Sequence, residues 1–580
     1  MGKEQGFQVK RCQINIVTGL VTIFSVILAV GRNCCGIEIT DEAFYVSEAV
    51  SILRGNAPVV FTMSDKPFFP VLLMECIRLY QLLIPDLEGI FLFSRTVFLV
   101  FRLCISAVIY IVLRKEFNRQ YLIFALCVLF TIWGNSIPNL SYNTISCWLI
   151  ILAGAITYIS LTTQNTGKSR IFSGITGVLI SLAVLAHVGQ ALNAVWFGII
   201  YLLFGKVQKR RINFMIYACS GAGAAFCVLF RLLLQYGRDK LIFGLETAFH
   251  YINRPAQQGI EGNIKYTLDN IGWVLIIFGV VFSVTFFYRM ARIKFKKIPS
   301  VNFEDATLAA VFLCMLRLLF RYNDPATNLL KVGAVGGVFL LAVGGMAVAD
   351  KDRKAGQIIT AFMTFPVIYV IICGFGMDTM AYKRFWMFGF IFFGGVLLFE
   401  RYFRHGSILR KALCCLTFVF VFIAIASSEW SYLYRENSLW ELDTKVTEGV
   451  YKGIYTTAQK ADDTQALEKY IKEITSKEDR VLFLDNVPVG YMMSEAVPWT
   501  PSTWDLTAYT YGFNNPDILY RYFENKGAAP TKIIYVDYGR DEKMSIDDEK
   551  HLFNDFINEN YIFSESRFIG DTYEVRVYEQ

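Results

Sequence analysis

About thirteen stretches of this chain are apolar over nearly the length needed to cross a bilayer, and that repetition constrains the fold more than any other feature. The candidate spans are residues 13–30, 91–113, 121–136, 143–161, 171–187, 189–204, 212–234, 270–288, 306–320, 331–349, 357–374, 384–400 and 412–428. A chain of 580 residues that is 54% hydrophobic and only 18% charged, with mean hydropathy +0.42, has too much apolar surface for a water-soluble fold. The expectation is a mainly α, polytopic membrane protein.

The net charge of +7 is a sum of opposites. Residues up to Glu429 carry 40 Lys and Arg against 22 Asp and Glu, whereas Trp430 onward carries 16 against 27. The chain therefore divides into a basic multi-spanning part, 1–428, and an acidic soluble domain, 429–580. The basic residues lie in scattered short loops rather than on one face, which argues against nucleic acid as a partner. All thirteen cysteines precede the acidic domain, so no disulfide holds it, and none shows metal-site spacing.

Six basic loops fix the orientation: 114–119, 167–170, 206–211, 288–297, 350–354 and 400–411. Placing them all in the cytoplasm gives one consistent alternation, with a cytoplasmic N-terminus and an extracytoplasmic acidic domain. The first apolar run ends in GRNCCG without a small-x-small cleavage pattern, and is expected to be a retained span. The alternation also demotes residues 68–84. Counted as a span, they would send every later basic loop outside, so Glu75 and Arg78 belong to a helix lying along the interface. The large external pieces are then 31–90 and the tail. The tail alternates helical and strand-like patterns: a helix at 462–474, VLFLD at 481–485, PDILYRYFENKG, KIIYVDYG, DDEKHLFNDFINEN and a closing hairpin. It reads as a small α/β domain. GAGAA at 221–225 and GAVGG at 333–337 read as small-residue contacts between helices rather than nucleotide cradles.

Chemistry concentrates in the first external piece. Asp41 and Glu42 form an acidic pair just beyond the first span, and Lys66 follows in SDKPFF. A carboxylate pair offers a general base or a cation ligand, and a lysine neutralises a phosphate. Each has a plainer reading: Thr40 and Asp41 suit the N-cap of the helix that follows, Lys66 suits an interfacial anchor, and Arg95, Arg102 and Arg231 suit pairing or snorkelling. His187 and His250 read as structural.

The order of a first span, then DEAFY, a helix ending at Gly55, SDKP, an interfacial helix, and an arginine opening the next span resembles the GT-C superfamily of integral-membrane glycosyltransferases. The nearest match is its protein O-mannosyltransferase and lipid A aminoarabinose transferase branch. The motifs cover roughly the first 160 residues. The resemblance implies transfer of a sugar from a polyprenyl-phosphate donor to a hydroxyl of a glycan, lipid or protein acceptor on the outer face, with inversion. It implies Asp41 as general base, with Glu42 beside it in the catalytic pair. Tyr45, Asp65, Lys66, Arg95 and Asn143 are implied as substrate ligands, with Arg254 or Arg321 from external loops. The sequence departs from the family at Phe44, where several relatives have arginine, and at Asn143, where they have a second acid. An amide is a poor cation ligand, so no cofactor is required, though a divalent cation stays open. Two other readings remain: a lipid-linked glycan flippase or transporter, and a non-catalytic subunit of a polysaccharide-assembly complex.

The topology predicts that a cysteine placed at Ser545 reacts with an impermeant maleimide in intact cells. Labelling only after membrane rupture would reverse the orientation.

Overall fold

A computed structural model describes residues 2–58, 66, 68–131, 137–204, 209–252, 259–294, 303–320, 353–366, 393–398, 438–485, 487–504, 516–538 and 554–580, together with isolated residues elsewhere. The regular elements described in the first half are helices: α1 Gly2–Asn33, α2 Asp41–Leu53, α3 Pro70–Gln81, α4 Ile90–Leu113, α5 Arg119–Phe130, α6 Tyr142–Thr162, α7 Thr166–Ala186, α8 Ala191–Phe204 and α9 Arg210–Tyr236. It continues through α10 Arg238–Ile252, α11 Gly259–Lys294, α12 Phe303–Phe320 and α13 Arg353–Phe362.

Among the described residues five helical stretches are long and apolar enough to cross a membrane: α4, α6, α7, α9 and residues 272–292 of α11. The expected spans at 331–349, 384–400 and 412–428 lie wholly or largely outside the described residues, as does the second half of 357–374. Of these helices α6 is central, with 89% of its most apolar window buried, whereas α9 buries 11% and α4 28%. Exposed Val100, Leu103 and Ile111 on α4 and Phe226, Phe230 and Leu234 on α9 turn outward, as helices facing hydrocarbon do.

Polar side chains bind the bundle from within. Thr157 of α6 meets Thr176 of α7 at 3.2 Å, Tyr201 of α8 donates to Thr176, and Asn213 of α9 donates to Ser169 at 2.8 Å. Where α7 crosses α9 the backbones nearly touch. A Cβ on Gly177 would lie 2.2 Å from the Tyr217 carbonyl and 3.0 Å from the Gly221 nitrogen. The small residues around 221 therefore serve close helix approach. GAVGG at 333–337 lies outside the described residues.

The segment 68–84 forms α3, whose 12 residues span only about 18 Å, well short of a ~30 Å hydrocarbon core. It buries Leu73, Met74 and Ile77, exposes Leu72 and Leu79, and pairs Arg78 with Glu75 on the exposed side. Between the apolar runs 212–234 and 270–288 the chain is helical over α10 and again from the start of α11. Leu241 and Leu245 of α10 pack with Ala57, Val60 and Phe68, and this apolar contact organises the segment.

The tail contains β1 Thr444–Lys445, β2 Tyr455–Thr456, α14 Ala458–Ile474, β3 Arg480–Leu484, α15 Gly490–Met493, β4 Val497–Pro498, α16 Pro516–Lys526, β5 Lys532–Asp537, α17 Asn554–Asn560, β6 Ile562–Ile569 and β7 Tyr573–Glu579. Strands β4-β3-β5-β7-β6 form one mixed sheet. β3 runs parallel to β4 and β5, and the β6–β7 hairpin adds antiparallel to β5. The alternating runs seen in the sequence correspond to β3, α16, β5 and this hairpin. The tail does not pack as an isolated body: Val446, Tyr451, Tyr470 and Val481 share one apolar core with Phe44, Phe69 and Phe91.

Gly177→Ala is expected to force α7 and α9 apart and lower stability by about 1–3 kcal/mol, as overpacking does. Thermal unfolding in detergent measures it, with Gly223→Ala, whose Cβ meets nothing within 4 Å, as the neutral comparison.

Candidate active site

Helix α2 organises the site because successive residues along it point in different directions, and each direction meets a different partner. Its start is fixed by Glu38. That carboxylate accepts the backbone N–H groups of Thr40 at 3.0 Å and Glu42 at 2.7 Å, so it satisfies first-turn donors. Thr40 occupies the N-cap position but makes no side-chain cap bond, and Asp41 lies within the first turn. The capping assigned to Thr40 and Asp41 from spacing therefore falls to Glu38.

Glu42 faces α4. Its carboxylate takes a bidentate grip on Arg95, with Nε at 2.7 Å and Nη2 at 2.6 Å, and both side chains are buried. The remaining guanidinium donors go to the carbonyls of Asn33, Cys35 and Gly36 at 2.9, 3.1 and 2.8 Å. Asn139 adds a bond to Glu42 at 3.2 Å and another to Ser94 at 2.9 Å. Gly36, at φ +83°, can expose that carbonyl because it lacks a Cβ. The guanidinium is thus fully engaged by the ends of α1 and α2.

Tyr45, one turn after Asp41, faces an aromatic cluster. Its ring lies 5.9 Å from those of Phe69 and Tyr142, and Phe69 lies 5.7 Å from Tyr142. Lys66, half-buried, sets its ammonium 4.5 Å from the centre of the Tyr142 ring. His187 meets the same ring at 5.4 Å, and its Nδ1 accepts the Gly189 N–H. Asn143, beside Tyr142 at the start of α6, is buried, with its carbonyl accepting from Ser146. A desolvated aromatic face of this kind attracts a cation and offers a flat apolar surface.

The far end of α2 is covered by the tail. Glu48 accepts the N–H and Oγ1 of Thr503 at 2.8 and 2.9 Å, and Trp504 sets its ring 5.2 Å from Phe44. Arg54 donates to the carbonyls of Tyr491, Ser494 and Ala496. Asn56 donates to those of Pro498 and Thr500 and accepts from Tyr522. At the near end Arg435 approaches Glu38 at 3.3 Å and Asp41 at 3.6 Å, and donates to Thr40.

Burial pushes the Glu38 carboxyl up to about 7, with the Asp41 charge adding to the rise and Arg435 opposing it. Burial likewise pushes Glu48 up to about 7, opposed by its bonds from Thr503. A carboxyl raised from 4.5 on burial contributes to the folded state fully below pH 4.5, and that contribution is lost as the pH rises through 7. Mild acid therefore favours the folded state at these two carboxyls.

Of the residues singled out from the sequence, the structure gathers Asp41, Glu42, Tyr45, Lys66, Arg95 and Asn143 around α2 and the start of α6. Asp65, Arg254 and Arg321 lie outside the described residues. Glu38, Glu48, Tyr142, Arg435 and Trp504 were not singled out as site residues. Arg102, assigned to pairing or snorkelling, is buried between the rings of Phe98 and Phe130 and donates to the Phe130 carbonyl. Among the described residues no group of three or more His, Cys, Asp or Glu side chains could hold a metal ion.

No family model and no curated protein sequence matches the chain. Among solved structures it is similar to the oligosaccharyltransferase of Archaeoglobus fulgidus tethered with an acceptor peptide, at 12% identity and TM-score 0.47, over 91% of this chain and 69% of that one. The same enzyme with Zn and sulfate aligns at 12% identity and TM-score 0.46, over 90% and 67% of the two chains. Its complex with an inhibitory peptide and a dolichol-phosphate aligns at 12% and 0.44, over 91% and 69%.

Glu42→Gln is expected to cost about 3–5 kcal/mol, because it leaves a buried guanidinium without its carboxylate. Glu42→Gln combined with Arg95→Met should recover part of that loss in thermal unfolding. Equal melting of Glu42→Gln and the parent protein would show that the pair contributes nothing.

Proposed function

We propose that the chain is an inverting glycosyltransferase that moves a sugar from a polyprenyl-phosphate donor to an acceptor hydroxyl at the outer membrane surface. The observation that carries this reading is the Lys66 ammonium seated on Tyr142, in a ring cluster that includes Tyr45, one helical turn from the half-exposed carboxylate of Asp41. A cation on an apolar platform, with a base one helical turn from one of its rings, suits a substrate with a phosphate at one end and a reacting hydroxyl at the other. The resemblance of DEAFY and SDKP to the glycosyltransferase motifs supports the same assignment, as do five helices able to flank a lipid chain.

In the reaction proposed, the acceptor oxygen attacks the anomeric carbon and its proton passes to Asp41. The bond from that carbon to the phosphate oxygen breaks, its electron pair leaving with the polyprenyl phosphate. Lys66 stabilises the charge that grows there. Tyr45 and Asn143 are assigned to the sugar and phosphate, and Asp65, Arg254 and Arg321 are kept as ligands from neighbouring loops. Glu42 and Arg95 take a different part from the one first expected. Their donors and acceptors are spent on each other and on backbone, so they hold α2 against α4 and leave the proton to Asp41. The proposal places the N-terminus in the cytoplasm, the tail outside, and sugar acceptors among surface glycans, lipids or proteins.

Asp41→Asn keeps the shape but cannot take a proton, and is expected to lower turnover by about 10²-fold or more in protein that melts like the wild type. Lys66→Ala should weaken donor affinity and rate together, by about 2–4 kcal/mol in transition-state terms, with Lys66→Arg recovering part. Donor titration of purified variants measures both. Wild-type kinetics for Lys66→Ala would remove the lysine from the site, and full turnover by Asp41→Asn would remove the base.

A further inference from the structure

We propose that Arg435, which the tail brings to α2, is a positioning residue for Asp41, so that the reaction centre is completed across the interface between the tail and the helical part. The inference rests on the reading of Asp41 as the base.

Three carboxylates crowd the start of α2, at Glu38, Asp41 and Glu42. Glu42 is neutralised by Arg95. Glu38 caps the helix, and its charge would oppose ionisation of Asp41 across less than one turn. Arg435 spans the two: one guanidinium nitrogen lies 3.3 Å from Glu38 Oε1 and donates to Thr40 Oγ1, and the other lies 3.6 Å from Asp41 Oδ2. This cation lets both carboxylates face one site and directs one oxygen of Asp41, leaving the second for an acceptor hydroxyl.

The backbone that delivers Arg435 is held against its own preference. Its φ is +56°, a conformation that a non-glycine side chain disfavours and that persists where the surroundings over-determine it. Those surroundings are visible. Lys460 of α14 donates to the Arg435 carbonyl at 3.0 Å and to the Ile37 carbonyl at 2.8 Å, so one ammonium ties the arginine to the segment leading into α2. The next residue, Glu436, accepts the Ile37 N–H at 2.6 Å and pairs with Lys460 at 3.2 Å. Strain held at a residue that touches the base is the feature expected of a pre-organised site rather than of a surface ion pair.

The groups that face this cluster are Asp41 and Glu42 from α2, Arg95 from α4, Arg435 and Glu436 from the approach to the tail, Lys460 from α14, and Tyr451, whose phenol donates to the Glu38 carbonyl at 2.7 Å. Burial, and then the Asp41 charge, push the Glu38 carboxyl up to about 7 within this cluster, against the opposing pull of Arg435.

The test uses the full-length protein in nanodiscs with polyprenyl-phosphate-mannose, -glucose and -galactose as donor probes and a total extract of surface glycans, lipids and proteins as acceptor, and measures release of polyprenyl phosphate across pH. R435Q is expected to lower kcat about 10-fold or more with donor KM within about twofold, and to move the acid limb of the kcat profile to higher pH. R435K should recover part of kcat, and E38Q added to R435Q should move the limb back, because it removes the charge that Arg435 offsets. Wild-type kcat and limb in R435Q, or a loss that neither R435K nor E38Q relieves, would overturn the inference while leaving Asp41 as base if D41N is inactive. Full turnover by D41N, or no release from any probe by the wild type, would overturn the reading of the site and this inference with it.

Discussion

The ion pair between Glu42 and Arg95 is the interaction on which the placement of everything else depends. Both side chains are buried, at 1% and 2% exposure, and a buried charge is tolerated only when its hydrogen-bonding capacity is filled. Here it is filled by the parts of the chain that must meet. Arg95 takes the carbonyls at the end of α1 and the carboxylate of α2 while rooted in α4, and Asn139 joins the approach to α6. Such a pair stabilises little in net terms compared with apolar packing, but it admits one arrangement of three helices. Tyr45, Glu48 and Arg54 inherit their directions from it, since a rotation of α2 would break a bidentate bond before it moved any ring.

The tail is held by a different physics. Arg54 and Asn56 bind backbone carbonyls of residues 491–500, and Glu48 binds Thr503, so recognition reads the path of the main chain as much as its side chains. Apolar packing adds area around it: Phe91 stacks on Tyr451 with centroids 4.1 Å apart and planes at 9°. Carbonyl-directed docking fixes register in a way that apolar contact does not. That explains how a domain of opposite net charge seats itself against a basic helical body at one position.

Much of this was legible in the sequence because it depends on local pattern. Long apolar periodicity gave the helices, the reversal of charge at residue 429 gave the tail, and the alternation in YIFSESRFIGDTYEVRVYE gave the β6–β7 hairpin. Residues 68–84, which the positive-inside argument sets apart from the spans, contain the 12-residue helix α3. What could not be read depends on direction or distance. Asp41 and Glu42 look equivalent as letters, yet neighbours on a helix point about 100° apart, and only Glu42 turns toward α4. Tyr142 is an ordinary tyrosine until a lysine 76 positions earlier rests on its ring. Arg435 lies near the junction between the two parts, where composition changes and no periodic signal marks a single side chain. Glu38 took the capping role from Thr40 because its longer side chain reaches forward to the Thr40 and Glu42 N–H groups, a choice that spacing does not distinguish.

The pairing of α2 with the tail has a consequence for the order in which this protein can become functional. Ile37 bonds to Glu436 and Asn56 to the carbonyl of Pro498, across 399 and 442 residues of intervening chain. Contacts so distant close only after every helix between them has been made, because loop closure comes late in proportion to the chain it encloses. The segment around α2 is thus synthesised early and waits, its carboxylates unpartnered by the tail, until the final quarter of the chain arrives. A truncated copy would expose Glu48 and Phe44 where Thr503 and Trp504 should lie, giving quality control a surface that marks an unfinished molecule.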